Sequence, residues 1–215
     1  MGLVRALMFD FNGTLSHDEP LLCAIYRELF AKYGRPLTEE QYYTRLAGLS
    51  EEAIIGSWLG VDGPLLGSLV AERIERYAIA AADGSTVTEP VREAVRYAAT
   101  RVPVAIVSGA FRAEIVPVVE AAGLAREITA IVAADDVGHG KPHPEGYLTA
   151  LDRLGLTASE AAAFEDTEAG IAAAKAAGLH CLAIRGTLPE SRLAAADELV
   201  DGIDVALVRR LIDGN

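Results

Sequence analysis

The sequence has few of the side chains that form covalent cross-links or soft-metal sites, with two cysteines and four histidines among 215 residues. Cys23 and Cys181 each lie in an apolar stretch, which predicts two buried thiols in a reducing compartment and no disulfide bond. The cysteines and histidines do not follow the spacing of zinc ligands, so we expect no zinc site.

Positive charge is also scarce. The chain has 19 lysines and arginines against 31 aspartates and glutamates, which gives a formal net charge of −12. Only three residues are lysines, and one of them is Lys141. A protein with this charge repels nucleic acids and anionic membranes, so we expect neither as a partner. A small anion would bind only where the local geometry overcomes this repulsion.

Long apolar runs are absent, although 51% of the residues are hydrophobic. No stretch reaches the ~18 consecutive apolar residues of a membrane-spanning helix. The run behind Arg5, of about six residues, is too short for a signal peptide. We therefore expect a cytoplasmic globular protein, with enough chain for one large domain or for a domain that carries an insertion.

Short β-forming runs are present instead, and they alternate with helical patterns. The five clearest are residues 3–9, 102–107, 130–133, 161–164 and 181–184. Because these runs are apolar on both faces and are separated by helix-length segments, they predict an α/β fold. We expect a doubly wound parallel sheet that is covered by helices on both sides.

One long segment interrupts this alternation. Residues 17–84 contain helical patterns and no convincing strand. Thr38 and Gln41 have the spacing of a capping box at the start of one helix. We therefore predict an inserted all-helical cap domain, residues 16–84, and an α/β core domain formed by residues 1–15 and 85–215.

Polar side chains follow the predicted strands, at the edge where ligands bind in an open α/β sheet. Asp10 follows the first run, and Ser108 follows the second. Lys141 lies in the loop after the third run, and Glu165 and Asp166 follow the fourth. Taken singly, each has an ordinary structural role as a turn former, a helix cap or a solvated charge. Their placement at four successive strand ends predicts a common site.

These residue types suit phosphoryl transfer. A carboxylate such as Asp10 can attack phosphorus and form an acyl phosphate. Asp10 and Asp166 also offer the oxygen ligands that Mg²⁺ prefers. Ser108 can donate to a phosphoryl oxygen, Lys141 can neutralise the remaining charge, and backbone amides of neighbouring glycines can complete the cradle.

Four segments in order, DFNGTL, VSG, GKPHPEGY and FEDTEAGIAAAKAAG, resemble the motifs of the haloacid dehalogenase superfamily. The resemblance is to its β-phosphoglucomutase-like and phosphoglycolate-phosphatase-like subgroup, and it extends over nearly the whole chain. It implies a Rossmannoid core with a helical cap, Mg²⁺ as the cofactor and a small phosphorylated metabolite as the substrate. We expect a monomer or a homodimer.

The resemblance also implies roles for individual residues. Asp10 matches the nucleophile that becomes an aspartyl phosphate and binds Mg²⁺, and Glu165 and Asp166 match the metal-binding acids. Asn12 matches a position whose backbone carbonyl binds the metal and whose side chain is usually an aspartate that acts as general acid and base. The predicted phosphate-binding and substrate-binding residues are Gly13, Thr14, Ser108, Gly109 and Lys141, with Arg45, Gly48 and Ser50 as candidates in the cap.

Asn12 is compatible with the metal site but removes a proton carrier. An amide neither accepts nor donates a proton at neutral pH, and a positioned acid or base contributes about 10²- to 10⁴-fold in rate. Three functions stay open: a slow Mg²⁺-dependent phosphatase, a phosphotransferase or phosphomutase, and a phosphometabolite-binding relative without turnover. His17, Asp18 and Glu19 are the nearest candidates for a replacement base.

Overall fold

The computed structural model describes residues 4–214 of the chain. Its centre is a parallel sheet whose six strands are β1 (Ala6–Phe9), β2 (Val104–Val107), β3 (Ala130–Val132), β4 (Ala161–Glu165), β5 (His180–Ile184) and β6 (Glu198–Val200). Leu3, the first residue of the first predicted run, lies outside the described residues. The other predicted strands are confirmed to within two residues at each end.

The strand order is β3-β2-β1-β4-β5-β6, so the chain winds outward from β1 in both directions. In the centre, Phe9 is in register with Ile106 on one side and with Phe164 on the other. Strands β1, β2 and β4 are buried along their whole length, which explains why they are apolar apart from Glu165 at the end of β4. The predicted doubly wound parallel sheet is confirmed.

The sixth strand was not predicted from the sequence. Residues Glu198–Val200 form only three positions at the edge of the sheet, and two of them are half-buried. Asp197 and Asp201 flank the strand. A three-residue edge strand between charged residues has no apolar run by which to recognise it.

Six helices pack on the sheet or beside it: α5 (Glu89–Ala99), α6 (Arg112–Ala121), α7 (Glu145–Leu154), α8 (Glu168–Ala176), α9 (Glu190–Leu193) and α10 (Val205–Asp213). Helix α5 packs against α10, while α7 and α8 pack against strands and against each other. Within residues 4–214, no helix has both the length and the apolar character needed to cross a membrane.

The segment between β1 and α5 is helical. It contains α1 (Glu19–Lys32), α2 (Glu39–Arg45), α3 (Glu51–Leu59) and α4 (Gly63–Ala80). The predicted capping box is present, because Gln41 N donates to Thr38 Oγ1 at 3.1 Å and Thr38 N donates to Gln41 Oε1 at 2.9 Å. None of residues 17–84 lies in a strand.

A buried ion pair joins these helices to the sheet layer. Arg73 of α4 is 1% exposed and contacts Glu114 of α6. A second carboxylate, Glu51 of α3, lies 3.4 Å from the Arg73 guanidinium. The loop after α2 also touches the core, since a Cβ at Gly48 would lie 3.2 Å from Thr167 Cγ2. The helical segment therefore lies over the edge at which the strands end.

Candidate active site

The carboxyl ends of the central strands bring the predicted acids together. Asp10 directly follows β1, Glu165 is the last residue of β4, and Asp166 follows it. Their exposed fractions are 7%, 0% and 1% respectively. Since β1 and β4 are neighbours in the sheet, all three carboxylates can approach, and an oxygen of each lies within 4.8 Å of the others. We call Asp10, Glu165 and Asp166 the acid cluster.

Lys141 lies against this cluster. Its Nζ contacts Asp10 Oδ1 and lies 2.6 Å from Glu165 Oε1. Burial disfavours the charged form of Lys141, but the two carboxylates together raise its pKa above the ordinary value. An ammonium has three N–H donors, and the contacts with Asp10 and Glu165 occupy two of them.

Glu165 has a second partner and one atom without any. Tyr147 OH donates to Glu165 Oε1 at 2.6 Å, whereas Glu165 Oε2 is buried and has no hydrogen-bond partner among residues 4–214. Burial raises the pKa of Glu165 to about 7, and the nearby charge of Asp10 adds to the rise while Lys141 opposes it. A buried polar atom without a partner is costly, so this oxygen is suited to a bound cation.

Asp166 is held by two hydroxyl groups. Thr14 Oγ1 donates to Asp166 Oδ1 at 3.4 Å, and Thr187 donates to Asp166 Oδ2. Burial and the charge of Asp10 raise the pKa of Asp166 well above its ordinary value. The cluster therefore contains three mutually repelling, oxygen-only ligands, which fits a hard divalent cation such as Mg²⁺.

Gly13, a predicted phosphate-binding residue, contacts Asp18. Its backbone N–H donates to Asp18 Oδ1 at 3.1 Å instead of facing the main cavity. Its φ is +72°, and a Cβ there would lie 1.9 Å from Asp166 Oδ2. The structure therefore explains the glycine by close packing against Asp166. The Thr14 hydroxyl likewise contacts Asp166, and neither Gly13 nor Thr14 lines the main cavity.

The Asn12 side chain is fixed by Asp18. Asn12 Nδ2 donates to Asp18 Oδ2 at 2.8 Å, and Tyr77 OH donates to the same oxygen. Burial raises the pKa of Asp18, and the hydrogen bonds from Tyr77, Asn12 and Gly13 oppose the rise. Asp18 uses one of the two N–H donors of this amide, so the second N–H and the side-chain oxygen of Asn12 are left for other partners.

A cavity of about 530 Å³ opens above these residues, between the strand ends and the helical insertion. The predicted residues that line it are Asp10, Asn12, Gly48, Ser50, Ser108, Gly109, Lys141 and Asp166. Ser108 also has the structural role expected of a turn residue, since Ala110 N donates to its Oγ at 3.1 Å. The structure does not bring Arg45 to this cavity, because its guanidinium lies over the Trp58 ring, 5.3 Å from the centroid.

Further residues of the helical segment that the sequence did not place in the site also line the cavity, and they include Tyr42, Glu51 and Arg73. Tyr42 OH donates to Glu19 Oε2 at 3.0 Å, and Glu19 lines the cavity as well. Burial raises the pKa of Glu19 to about 7, and the charge of Asp18 adds to the rise. Only Glu19 had a sequence signal, its position just past the first motif.

Several known proteins resemble this chain over most of its length. Validoxylamine A 7'-phosphate phosphatase from Streptomyces hygroscopicus subsp. limoneus is 29% identical over 92% of this chain and 93% of its own length. The phosphorylated carbohydrates phosphatase of Thermotoga maritima is 29% identical over 82% of this chain and 83% of its own. The crystal structure of CbbY from Rhodobacter sphaeroides in complex with phosphate has a TM-score of 0.83 and 26% identity, and the match covers 93% of this chain and 95% of that one.

The family profile of the haloacid dehalogenase-like hydrolases matches residues 4–178, which include the whole acid cluster and Lys141. Because this match covers well over half of the chain, the protein belongs to the haloacid dehalogenase-like hydrolases and is an enzyme of that family.

Proposed function

We propose that the protein is a Mg²⁺-dependent phosphatase that hydrolyses the phosphate monoester of a small phosphorylated carbohydrate. The observation that carries the proposal is the position of Asp10, a buried carboxylate that lines the cavity of about 530 Å³ beside a lysine and two further acids. A cavity of this size accommodates a small metabolite, since ligand pockets commonly measure about 300–1,000 Å³.

The proposed reaction has two steps on Asp10. An Asp10 oxygen attacks phosphorus, the phosphorus–oxygen bond to the sugar breaks, and the sugar oxygen leaves with a proton. Water then attacks phosphorus, releases inorganic phosphate and restores the carboxylate. Lys141 has one N–H donor beyond its contacts with Asp10 and Glu165, and we assign that donor to a phosphoryl oxygen, with Ser108 as a second donor.

Mg²⁺ is proposed as the cation of the acid cluster. Asp10, Glu165 and Asp166 would hold it, together with the backbone carbonyl of Asn12. The partnerless Glu165 Oε2 and the oxygen-only ligand set support this assignment. When bound, the ion supplies positive charge that neutralises the phosphoryl group.

Glu19 is the residue to which we assign proton transfer. His17 lines a separate cavity of about 210 Å³, and Asp18 is fully buried and hydrogen-bonded to Asn12, so neither faces the acid cluster from the main cavity. Glu19 does line the main cavity, together with Asp10, and its pKa of about 7 suits an acid and base at neutral pH.

The substrate class rests on the polar lining contributed by the helical segment, which we propose is a cap domain of residues 16–84. Ser50, Glu51, Glu52 and Arg73 all line the cavity. Hydroxyl and carboxylate acceptors of this kind suit the hydroxyl groups of a carbohydrate. The named activities of the two phosphatase relatives support the same class.

Phosphate release from a panel of sugar phosphates and short phosphorylated acids, with Mg²⁺ and with EDTA, tests the proposal. We expect multiple turnovers on at least one sugar phosphate, and loss of release in EDTA and in Asp10→Asn. A covalent gain of one phosphoryl group without release would favour a phosphotransferase instead. Binding of a sugar phosphate with neither release nor covalent transfer would overturn the catalytic proposal.

A further inference from the structure

We propose that His139, His143 and Glu145 form a binding site for a transition-metal ion such as Zn²⁺. The site lies at the edge of the main cavity. The cysteine and histidine spacing in the sequence gave no reason to expect such a site. The fold creates it by bending the loop before α7 so that two imidazoles lie beside one carboxylate. The proposal concerns binding alone and does not depend on the phosphatase activity.

The separations between the ligand atoms are close to those of a metal centre. His139 Nδ1 lies 2.8 Å from Glu145 Oε2, and His143 Nδ1 lies 3.8 Å from the same oxygen. All three residues offer a ligand atom within 4.8 Å of the others. A tetrahedral zinc ion with bonds of about 2.0–2.2 Å places its ligands about 3.3–3.5 Å apart. The two observed distances lie on either side of that value. Small side-chain rotations would therefore bring the three ligand atoms to the separations of a zinc site.

The backbone holds the carboxylate in place before any ion binds. Gly138 N donates to Glu145 Oε1 at 2.7 Å, and His139 N donates to Glu145 Oε2 at 3.1 Å. These bonds, of which the one from Gly138 is the largest cause, lower the pKa of Glu145 and keep it ionised at neutral pH. One ligand is therefore ordered and charged, and only the two imidazoles need to move.

The donor set separates this site chemically from the acid cluster. Two imidazole nitrogens and one carboxylate favour Zn²⁺, Ni²⁺ or Cu²⁺ over Mg²⁺, which prefers oxygen. The imidazole side chains are 73% and 52% exposed, so an ion can reach them from solution. Lys141, which lies between them in the loop, directs its ammonium to Asp10 and Glu165. The positive charge of Lys141 is thus already paired with these two carboxylates.

The test is Zn²⁺ binding by isothermal titration calorimetry, carried out on the full chain in a large excess of Mg²⁺ to saturate the acid cluster. We expect one Zn²⁺ per chain, with affinity reduced at least tenfold in H139A/H143A. The matched control is H17A/H180A, which removes the other two histidines and is expected to bind as the native protein does. Absence of Zn²⁺ binding at millimolar concentration, or unchanged binding by H139A/H143A, would overturn the proposal.

A spectroscopic measurement on the native protein covers the case in which a variant fails to fold. With Cu²⁺ as the probe, again in excess Mg²⁺, the electron paramagnetic resonance spectrum is expected to show hyperfine coupling to two imidazole nitrogens. Coupling to one nitrogen or to none would contradict a site built from His139 and His143. Circular dichroism of each variant establishes whether its calorimetric result can be used.

Discussion

Replacement of Asn12 by aspartate is expected to destabilise the protein in a pH-dependent way, because Asn12 Nδ2 donates to Asp18 Oδ2 at 2.8 Å. The substitution removes this donor and places a second carboxylate against a buried one. A hydrogen bond to a charged group contributes about 1.5–3 kcal/mol, so the unfolding free energy should fall by at least that amount at pH 8.

The sign of the pH dependence follows from proton binding. Burial already raises the pKa of Asp18, and a neighbouring carboxylate raises it further, so the folded variant holds a proton that the unfolded chain releases near pH 4. Stability relative to the native protein is therefore lost as the pH rises above about 4. We expect the loss at pH 8 to exceed that at pH 5 by at least about 1.4 kcal/mol, one pKa unit of linkage.

Urea unfolding at both pH values, in EDTA, measures the effect. The matched controls are Asn12→Ala, which removes the donor without adding charge, and Asn12→Asp combined with Asp18→Asn, which exchanges the amide and the carboxylate. Asn12→Ala should show a smaller extra loss at pH 8 than Asn12→Asp, because it removes a hydrogen bond that lowers the pKa of Asp18 but adds no charge. The double variant should recover part of the stability. Equal destabilisation of Asn12→Asp at pH 5 and pH 8 would refute the assignment of Asp18 as the partner.

Three further outcomes are expected. Glu19→Gln should lower kcat about 10²- to 10⁴-fold and remove an ionisation near pH 7 from the pH profile of kcat/KM; an unchanged profile would exclude Glu19 as the proton carrier. Arg73→Met should lower the unfolding free energy by about 3–5 kcal/mol, because it leaves buried acids unpaired. Arg76→Met, which removes a partly exposed ion pair, should lower it by at most about 1 kcal/mol. Equal losses for the two variants in urea unfolding would contradict a stabilising role of the buried Arg73 pair. Gly13→Ala should weaken Mg²⁺ binding at least tenfold, as measured by calorimetry, because the new methyl group displaces the Asp166 carboxylate of the acid cluster. Gly34→Ala, at a similar φ but with open space around it, should leave Mg²⁺ binding unchanged. Native-like Mg²⁺ affinity in Gly13→Ala would count against the proposed metal site.

The sheet and the residues at its edge were predictable because their signals are local. A strand buried on both faces is expected to be almost entirely apolar; β1 and β2 are apolar throughout, and β4 is apolar up to Glu165 at its end. Adjacent parallel strands end at a common edge, so the residues that follow them meet there. This reasoning predicts one site for Asp10, Ser108 and Asp166, and all three line the main cavity.

The contacts of the helical segment were not predictable in the same way. Glu114 and Arg73 lie 41 positions apart, and their pairing depends on how α4 packs against α6. Asn12 donates a hydrogen bond to Asp18 only because the loop after β1 turns back on itself. Arg45 had the position of a cap candidate, but the stacking surface of Trp58 holds it elsewhere. None of these partners is marked by spacing or composition.

The most direct test of the central claim is detection of a phosphorylated Asp10 during turnover. The protein is mixed with Mg²⁺ and the sugar phosphate it hydrolyses fastest, quenched in acid within the first turnover, and digested for mass spectrometry. The account predicts one added phosphoryl group on the peptide that contains Asp10, absent in Asp10→Asn and lost as phosphate is released. Phosphate release with an unmodified Asp10 peptide at every time point, or a phosphoryl group on another residue, would contradict it.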